Sequence, residues 1–572
     1  MMSAELTGVI VTFLLTVLLA ILLGKYIAKV FCGERTFMDF MAPLERLIYR
    51  VCSIDPRRKM NWKEFLKAML TINLVWFIYA FFMLIFQGHL PLNPDGNPCQ
   101  TPDLAFNTDI SFLVNCNLQH YSGETGLTYL TQLFVIGFLQ FVSAATGIAC
   151  LIALFNGLKE KSTNNLGNFW NIFVKSITRL LLPLSIIVAV MLAFSGTPTG
   201  FAGKDTIVTL QGDTQHVSRG PAAGIIAIKQ IGTNGGGYFG ANSAVPFENP
   251  TYLINVIEAI SIPLISMALV FALGYYINRK KLAYVIFCVM TLFFILFCIN
   301  NIYFETKGNP EIGRMGIAQN IGAMEGKEIR IGSAATAYWS VATTSTSNGS
   351  VNGMHDSLMP LSGGVVLIDM MINALYGGVG AGLLNYYIFI IIAVFISGLM
   401  VGRTPEFMGH KVEAREIKIA AIITIFSAFL IKAGTAFAAY MFVHHPDVHR
   451  AAKPSAWLNN PDFHGFSEML YEYTSANANN GSGFEGLGDN NVWWNVTTGF
   501  VLIFGRYLPI IGPLAIAGLL ANKKFIPESA GTLPTDSVTF GIMTIAVIVI
   551  VTALSYFPPL ALGPIAEYFS MP

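Results

Sequence analysis

Charged residues are scarce in this sequence of 572 residues. Asp, Glu, Lys and Arg make up 12% of it, whereas soluble domains usually contain about 25%. Hydrophobic residues make up 54%, and the mean hydropathy is +0.58. This composition excludes an ordinary soluble protein and predicts a chain embedded in a lipid bilayer.

The chain also lacks a charge excess of either sign, with 34 Lys and Arg against 33 Asp and Glu. Nucleic-acid binding depends on cationic side chains that neutralise phosphates, so no nucleic-acid partner is expected. The seven cysteines form no Cys-x-x-Cys pair and have no histidines at zinc spacing. Neither a disulfide framework nor a structural metal site is therefore predicted.

Catalytic motifs are missing as well. The sequence contains no Gly-x4-Gly-Lys-[Ser/Thr] loop for nucleotide phosphates and no Asp-Lys-Thr-Gly-Thr phosphorylation motif of P-type ATPases. It contains no His-Glu-x-x-His or Gly-x-Ser-x-Gly motif either, which argues against an intramembrane hydrolase. No catalytic residue is predicted, and any ATP chemistry is expected on a partner.

Long apolar runs are abundant. About 20 apolar residues are needed for a helix to cross about 30 Å of hydrocarbon. Eight runs without charge meet this need, at 6–24, 68–86, 126–158, 180–200, 259–278, 282–304, 383–402 and 537–566. Two more, 419–443 and 490–520, each contain one cation, Lys432 and Arg506. The sequence thus predicts ten transmembrane helices, the first retained because Glu5 precedes it in place of the basic segment of a signal peptide.

The distribution of Lys and Arg predicts the orientation. The connections 31–61, 156–169, 278–281, 402–418 and 521–536 hold 17 of them in 82 residues, whereas the four longer connections hold 9 in 186. Positively charged connections remain on the cytoplasmic side of a membrane. Both termini and the four long connections are therefore expected outside.

Each long external connection contains a cluster of Gly, Asn, Ser or Thr, and we call these clusters the four polar loops. They are 115–117 (NCN), 233–237 (TNGGG), 346–350 (TSNGS) and 479–482 (NNGS). The segments before them, 109–114, 221–231, 334–344 and 465–474, are too short to cross a bilayer. The pattern predicts four tandem units, each a helix, a re-entrant half-helix, a polar loop and a second helix.

Four such loops around one axis favour a pore for a dehydrated monovalent cation. Glycine permits backbone conformations that present carbonyls to an ion, and half-helix C-termini direct partial negative charge towards the axis. Neutral carbonyls replace a hydration shell, whereas a divalent ion would favour carboxylates. The alternative is that the clusters are ordinary external turns.

Several longer stretches resemble the family of potassium-binding subunits of bacterial Kdp potassium-transporting ATPases (KdpA). They are 121–124 (YSGE), 232–250 (GTNGGGYFGANSAVPFENP), 354–357 (MHDS), 402–406 (GRTPE) and 561–568 (ALGPIAEY). The resemblance covers essentially the whole chain. It implies an all-α integral membrane protein of the potassium transporter superfamily, with ten transmembrane helices and four repeats around a potassium selectivity filter.

The repeats are expected at 62–158, 159–278, 279–402 and 403–522, between a first helix with its basic connection (1–61) and a final helix (523–572). The resemblance implies high-affinity potassium uptake at the bacterial inner membrane, with K+ as the transported ion and no organic cofactor in this chain. It implies three partners: a P-type ATPase catalytic subunit, a third accessory subunit and a small single-span subunit. Membrane lipids surround the complex.

The family's filter corresponds to positions in all four polar loops. These are Asn115, Cys116 and Asn117, with Gln119 near the filter, then Thr233, Asn234 and Gly235, then Ser347, Asn348 and Gly349, and finally Asn479, Asn480 and Gly481. Two departures stand out, since Cys116 replaces an expected Thr and Leu118 an expected Trp. Cys116 keeps the backbone carbonyl of the expected Thr as a candidate ion ligand, whereas a contact made by the Thr hydroxyl would be lost.

Other residues are assigned with alternatives. Arg506 matches an arginine of the family's ion path, or it forms a packing ion pair. Lys432 is expected to snorkel or to pair with a neighbouring subunit. Arg403 is a candidate ion-path or cytoplasmic contact, or a positive-inside anchor. The pair His355 and Asp356 has no catalytic partner in sequence, so loop-structuring hydrogen bonds are favoured.

A glycine cluster interrupts the second helix of the third repeat. Gly377, Gly378, Gly380 and Gly382 break its apolar run, because glycine weakens a helix. In the family this segment is a gating loop, from which ions leave sideways towards the ATPase subunit. A family glutamate is replaced here by Asn373-Ala374, and whether Asp369 substitutes for it stays open.

Two functions of different classes fit the sequence. The first is the translocating subunit of an ATP-driven potassium pump. The second is a self-sufficient potassium channel or uniporter of the Trk/Ktr/HKT type, driven by membrane potential. The tenth helix, the 402–406 string and the glycine-broken third repeat favour the pump.

Overall fold

The computed structural model describes residues 2–159, 165–402, 404–448, 453–526 and 534–571. Within these ranges, ten helical segments are long and apolar enough to cross a membrane. They are Ala4–Cys32, Trp62–His89, Tyr129–Lys159, Phe169–Phe194, Tyr252–Tyr276, Lys280–Arg314, Ala381–Met400, Ala414–His444, Val492–Ala521 and Val538–Ser570. Each overlaps one predicted apolar run, so the ten transmembrane helices are confirmed and the chain is a multi-pass membrane protein.

Helices dominate the structure. In chain order the α-helices are α1 (Met2–Cys32), α2 (Ala42–Val51), α3 (Trp62–Phe86), α4 (Pro102–Leu113), α5 (Gly123–Gly126), α6 (Tyr129–Thr131), α7 (Phe138–Lys159), α8 (Phe169–Ser176), α9 (Leu182–Phe194), α10 (Ala222–Ile231), α11 (Tyr252–Tyr276), α12 (Lys280–Lys307), α13 (Pro310–Arg314), α14 (Ser333–Ser345), α15 (Pro360–Ile372), α16 (Ala381–Val401), α17 (Ala414–His444), α18 (Asp462–Ala478), α19 (Val492–Ala521), α20 (Val538–Leu560) and α21 (Ala566–Ser570). Two short antiparallel hairpins pair β1 (Asp205–Val208) with β2 (Thr214–Val217) and β3 (Glu406–Phe407) with β4 (His410–Lys411).

Polar residues at the helix starts explain where several spans begin. Asn61 accepts hydrogen bonds from the backbone N–H groups of Lys63 and Glu64 at 2.9 and 3.0 Å, and the Glu64 carboxylate accepts from the Asn61 N–H. This is a capping box, which satisfies otherwise free N–H groups at the start of α3. Thr251 caps α11 and Asn491 caps α19 in the simpler way, through one side-chain oxygen each.

Four short helices each precede one of the polar loops. They are α4, α10, α14 and α18, and each ends one or two residues before a polar loop begins its left-handed turn. These helices overlap the four segments predicted to be re-entrant half-helices. α1 packs along α11, and α20 packs against α16, α12 and α15. The two outermost spans therefore support the repeated units from outside, while the repeat boundaries themselves stay a prediction.

The second helix of the third repeat is broken, as the glycine cluster predicts. α15 ends at Ile372 and α16 begins at Ala381, and we call the intervening residues 373–380 the broken-helix loop. Gly377 and Gly380 have φ of 62° and 84°. A Cβ on Gly382 would collide with the Tyr376 carbonyl. Glycine is thus required both for the backbone conformation and for the close approach of the loop to α16.

The basic connection after α1 is attached to the membrane helices by a buried ion pair. Arg179 lies in a π-helical turn between α8 and α9. Its Nε and Nη2 donate to the Glu45 carboxylate at 2.6 and 2.8 Å, and its Nη1 donates to Asp39 at 2.7 Å. The Glu45 side chain is 5% exposed. A bidentate pair this well shielded fixes α2 against the turn between α8 and α9.

We predict that Arg179→Met destabilises the protein, because it leaves the Glu45 carboxylate buried without its partner. Loss of one partner of a buried ion pair typically costs about 3–5 kcal/mol. The measurement is the thermal unfolding midpoint in detergent. Arg219→Met is the matched control, since the Arg219–Asp205 pair is exposed and its loss should leave the midpoint unchanged. Equal midpoints for the two variants would contradict the assignment.

Candidate functional site

The four polar loops share one backbone conformation. We number the positions from the residue that begins the left-handed turn, which in the third loop is Ser347. The first position then has positive φ in every loop, with 63° at Asn115, 48° at Thr233, 48° at Ser347 and 51° at Asn479. The third position also has positive φ, with 60° at Asn117, 88° at Gly235, 89° at Gly349 and 99° at Gly481. The N–H of the middle residue donates to the carbonyl five residues earlier in every loop, at 2.9–3.0 Å. The four loops are therefore copies of one turn. Four unrelated external turns would not be expected to share these φ values and this hydrogen bond.

The loops also contact one another in cyclic order. A Cβ on Gly235 would collide with the Asn348 carbonyl, one on Gly349 with the Asn480 carbonyl, and one on Gly481 with the Cys116 carbonyl. The Asn117 Nδ2 closes the ring by donating to the Gly236 carbonyl of the second loop at 2.9 Å. The third position of each loop thus lies against its neighbour. Gly235, Gly349 and Gly481 are glycines because the adjacent backbone occupies the space of a side chain.

Asparagine side chains connect the loops further. Asn115 Nδ2 donates to the Thr233 carbonyl at 2.8 Å, Asn348 Nδ2 to the Lys229 carbonyl at 3.3 Å, and Asn480 Nδ2 to the Thr343 carbonyl at 2.8 Å. The last two bonds are equivalent, since each joins the middle residue of one loop to the half-helix of the preceding repeat. They hold the spacing between neighbouring loops.

Gln119 lies between the first two loops. Its Nε2 donates to the Gly237 carbonyl at 3.0 Å, and its Oε1 accepts from the Gly237 N–H at 2.8 Å. This paired contact places Gln119 against the second polar loop, and its role near a filter stays a prediction. Its amide fixes the backbone of the second loop.

The two departures from the family pattern are buried, one in the first loop and one directly after it. Cys116 occupies the middle position, where the other loops have Asn, and its carbonyl lies against Gly481. Leu118 belongs to a buried cluster with Trp457, Trp494 and Tyr473. Leu118 and aromatic side chains of the fourth repeat thus belong to one buried hydrophobic cluster next to the first loop.

A buried lysine supports the second loop, and sequence reasoning missed it. Lys229 Nζ forms an ion pair with Glu248 and donates to Ser243 at 3.0 Å. The Lys229 carbonyl accepts the N–H of Asn234 at 2.9 Å. A signal for it existed, since a lysine inside the apolar segment 221–231 requires a partner. The pair fixes α10 where the second loop begins.

Asp369 supports the third loop from behind. Its Oδ2 accepts hydrogen bonds from Thr344 and Ser345 at 2.7 and 2.6 Å. Both donors belong to the last turn of α14, just before Ser347. Asp369 therefore anchors the half-helix, and it does not line the cavity that contains Asn373. Asp369 therefore does not occupy the position of the family glutamate, which Asn373-Ala374 replaces in this chain.

The broken-helix loop lies directly under the polar loops. The Val379 N–H donates to the Thr233 hydroxyl at 2.9 Å, and the Gly377 N–H donates to the Ser345 carbonyl at 2.7 Å. Arg506 is buried beside it, and its Nη2 donates to the Ser143 carbonyl at 3.3 Å. A cavity below the loops is lined by Ser347, Asn373, Gly378, Asn385, Asn479 and Arg506, among others. The structure thus brings the predicted gate and Arg506 together at one end of the four loops.

The remaining predicted residues lie elsewhere. His355 Nδ1 lies 2.9 Å from the Tyr471 hydroxyl, and Asp356 lies beside Asn460 and His464. Lys432 is on the exposed face of α17, in a groove shared with α20. Arg403 falls outside the described residues.

His120 carries a positive charge beside the first loop. Its two ring nitrogens lie 2.6 Å from the Asn495 Oδ1 and 3.0 Å from a Glu472 oxygen. Burial lowers the pKa of His120, but Asp489 and Glu472 outweigh it and raise the pKa to about 9. The charged imidazolium therefore holds the chain after the first loop against α18 at neutral pH.

We predict that Gly235→Ala reduces the preference for potassium over sodium. The residue has φ of 88°, and its Cβ would displace the Asn348 carbonyl of the next loop. A displaced carbonyl alters the coordination on which selectivity depends. The measurement is the ratio of rubidium to sodium uptake, with the complex in proteoliposomes. Gly224→Ala is the control, because nothing lies within 4 Å of its added Cβ. An unchanged ratio in Gly235→Ala would count against this residue as part of the filter.

Comparison with known proteins identifies the family of this chain. Residues 10–569 match the family model described as "KdpA: Potassium-transporting ATPase A subunit". Relatives named "Potassium-transporting ATPase potassium-binding subunit" occur in Flavobacterium johnsoniae, 62% identical over 573 residues, and in Bacteroides thetaiotaomicron, 61% identical over 570 residues, each covering 100% of both chains. One from Alicyclobacillus acidocaldarius is 47% identical and covers 99% of this chain and 100% of the relative.

A solved structure supports the fold independently. The potassium transporter TrkH from Vibrio parahaemolyticus aligns with a TM-score of 0.50 at 16% identity, over 89% of this chain and 97% of that chain. At this identity the likeness concerns the fold alone. The family match over nearly the whole length, together with relatives at 47–62% identity, shows that this chain belongs to the KdpA family of potassium-transporting ATPase A subunits.

Proposed function

We propose that this chain is the potassium-binding and translocating subunit of an ATP-driven potassium uptake complex. One observation carries the proposal: four loops of the same left-handed conformation close into a ring at the ends of four half-helices, with neutral backbone carbonyls at the contacts between the loops. Such a ring suits a dehydrated monovalent cation. The relatives are named as potassium-binding subunits, and K+ is accordingly the transported ion.

The proposed filter consists of the three residues of the shared turn in each polar loop, from Asn115 to Asn117, Thr233 to Gly235, Ser347 to Gly349 and Asn479 to Gly481. Support comes from the shared φ values and from the four half-helix C-termini, which place partial negative charge at the ring. No Asp, Glu, Lys or Arg occurs among these residues. The ion is therefore held by neutral oxygens and is free to leave.

We propose that the broken-helix loop closes the path straight through the ring and that the ion leaves sideways. A second cavity, between α15, α16, α17, α19 and α20, shares Asn373, Asn385 and Pro509 with the cavity below the loops. The shared residues support a continuous lateral route. Arg506 adds a fixed positive charge at the start of this route, which disfavours a cation that stays bound there.

ATP-driven uptake requires partner subunits, because this sequence lacks the motifs that bind or cleave ATP. We propose a P-type catalytic subunit, a third accessory subunit and a small single-span subunit as those partners. We also propose the bacterial inner membrane as the location, with both termini outside, on the strength of the Lys and Arg distribution. A self-sufficient channel of the Trk type is supported by the fold alone.

The two functions predict different transport behaviour in proteoliposomes. We expect rubidium uptake only when this chain is reconstituted with its ATPase partners and supplied with ATP, because the broken-helix loop closes the chain on its own. The measurement is rubidium uptake by the chain alone and by the complex, each with and without ATP. Robust potential-driven uptake by the chain alone would contradict the pump and support the channel.

We predict that Arg506→Gln increases passive rubidium efflux from the assembled complex without ATP. Removal of the buried cation lowers the electrostatic barrier below the filter, in surroundings where charges interact strongly. Arg506→Lys is the control, since it keeps the charge and should retain a low efflux. Equal efflux from both variants and the unmodified complex would remove Arg506 from the ion path.

A further inference from the structure

A second group of ionisable side chains lies away from the polar loops. His464, near the start of α18, has its Nε2 2.9 Å from Asp356 Oδ1 and its Nδ1 2.8 Å from Glu567 Oε1. One ligand atom from each of Asp356, His464 and Glu468 lies within 4.8 Å of the other two. One imidazole is thus surrounded by three carboxylates that come from three distant parts of the sequence.

Glu468 provides an independent sign that the group is incomplete. Its side chain is fully buried, and its Oε2 has no hydrogen-bond partner. Its Oε1 makes only long contacts, of 3.3 and 3.4 Å, with the N–H and Nδ2 of Asn460. A buried carboxylate oxygen without a donor is costly unless a cation occupies the position beside it.

The charges also leave a position for a cation. Within the part of the chain that the structure describes, neither Asp356 nor Glu567 forms an ion pair with Lys or Arg, and their charged contact is His464. Even with His464 protonated, three carboxylates surround one positive charge. A divalent cation at the Asp356–His464–Glu468 side would compensate them.

We propose that Asp356, His464 and Glu468 bind a divalent metal ion, for which Zn2+ is the best match. A mixed set of one imidazole nitrogen and carboxylate oxygens favours Zn2+ over Mg2+ or Ca2+, which take oxygen ligands. Ligands about 2.0–2.1 Å from a tetrahedral zinc ion lie about 3.3 Å apart, so the 2.9 Å between Asp356 and His464 needs only a small adjustment.

Glu567 completes the arrangement from the other side of the ring. Metal-binding histidines usually donate their second N–H to a carboxylate, which fixes the tautomer and the ring orientation. The Nδ1 contact with Glu567 has this geometry, leaving Nε2 for the metal. A surface groove lined by Phe463, His464, Leu562 and Glu567, among others, gives access to the ring.

The sequence contained a partial signal for this site. His464 and Glu468 are four residues apart, a spacing that places both on one face of a helix. Asp356 lies more than 100 residues before α18 in the sequence, so no residue spacing connects it to His464 and Glu468. A bound ion would connect the chain after the third loop to the fourth half-helix.

The test is zinc binding to the assembled complex after treatment with a chelator. Calorimetric titration should give one saturable site, and zinc should raise the thermal unfolding midpoint. We expect His464→Gln and Glu468→Gln to weaken this binding at least tenfold, and Glu567→Gln to weaken it about 10–100-fold, as for other lost carboxylate–histidine contacts. His216→Gln is the control, because His216 lies in the exposed β-hairpin and should leave zinc binding unchanged.

ATP-driven rubidium uptake without zinc shows whether each variant is folded, since none of these residues belongs to the proposed filter. X-ray absorption on the unmodified complex provides a measurement that does not depend on variants. It should show nitrogen and oxygen ligands at about 2.0–2.1 Å, including one imidazole, and no sulfur. Absence of saturable zinc binding, equal affinity in His464→Gln and His216→Gln, or a sulfur ligand would overturn the proposal.

Discussion

Non-helical backbone at membrane depth is stable only when other protein groups satisfy its N–H and C=O groups. The four polar loops meet this constraint mainly through each other. Asn117, Asn348 and Asn480 donate to backbone carbonyls of adjacent repeats, and glycine at the third position lets the next loop approach. Each loop thus donates hydrogen bonds to its neighbours or lies in close backbone contact with them.

The surroundings of the ring follow from the same constraint. The half-helices must end at matched positions, so polar groups behind them are fixed by buried partners, as Lys229 is by Glu248 and Asp369 by Thr344 and Ser345. The broken-helix loop is itself non-helical and is satisfied by the ring, through Thr233 and the Ser345 carbonyl. The proposed filter and gate are therefore one hydrogen-bonded unit.

Much of the fold could be predicted from sequence, because hydropathy and length largely determine a transmembrane helix. All ten spans and the four half-helices were found in this way, although the first half-helix begins at Pro102, before the predicted 109, since its buried polar residues mask the apolar pattern. The glycine cluster correctly predicted the break after α15. These features depend on local sequence, which one chain displays directly.

Contacts between distant residues could not be predicted. The partner of Lys229, the cyclic order of the loops and the contacts of His464 with Asp356 and Glu567 depend on tertiary packing, and the sequence pattern does not identify such partners. The positive φ values at Asn115, Thr233, Ser347 and Asn479 were hidden too, because residues other than glycine adopt them. The filter residues were assigned by resemblance to the family, and the conformation that the four loops share supports that assignment.

We propose that the ring of polar loops coordinates the transported cation. Anomalous diffraction from crystals of the complex grown with thallium, a heavy ion of similar size and charge to potassium, would locate that ion. We expect a peak on the axis of the ring, close to the carbonyl oxygens of all four loops. Thallium bound elsewhere with none at the ring would contradict it.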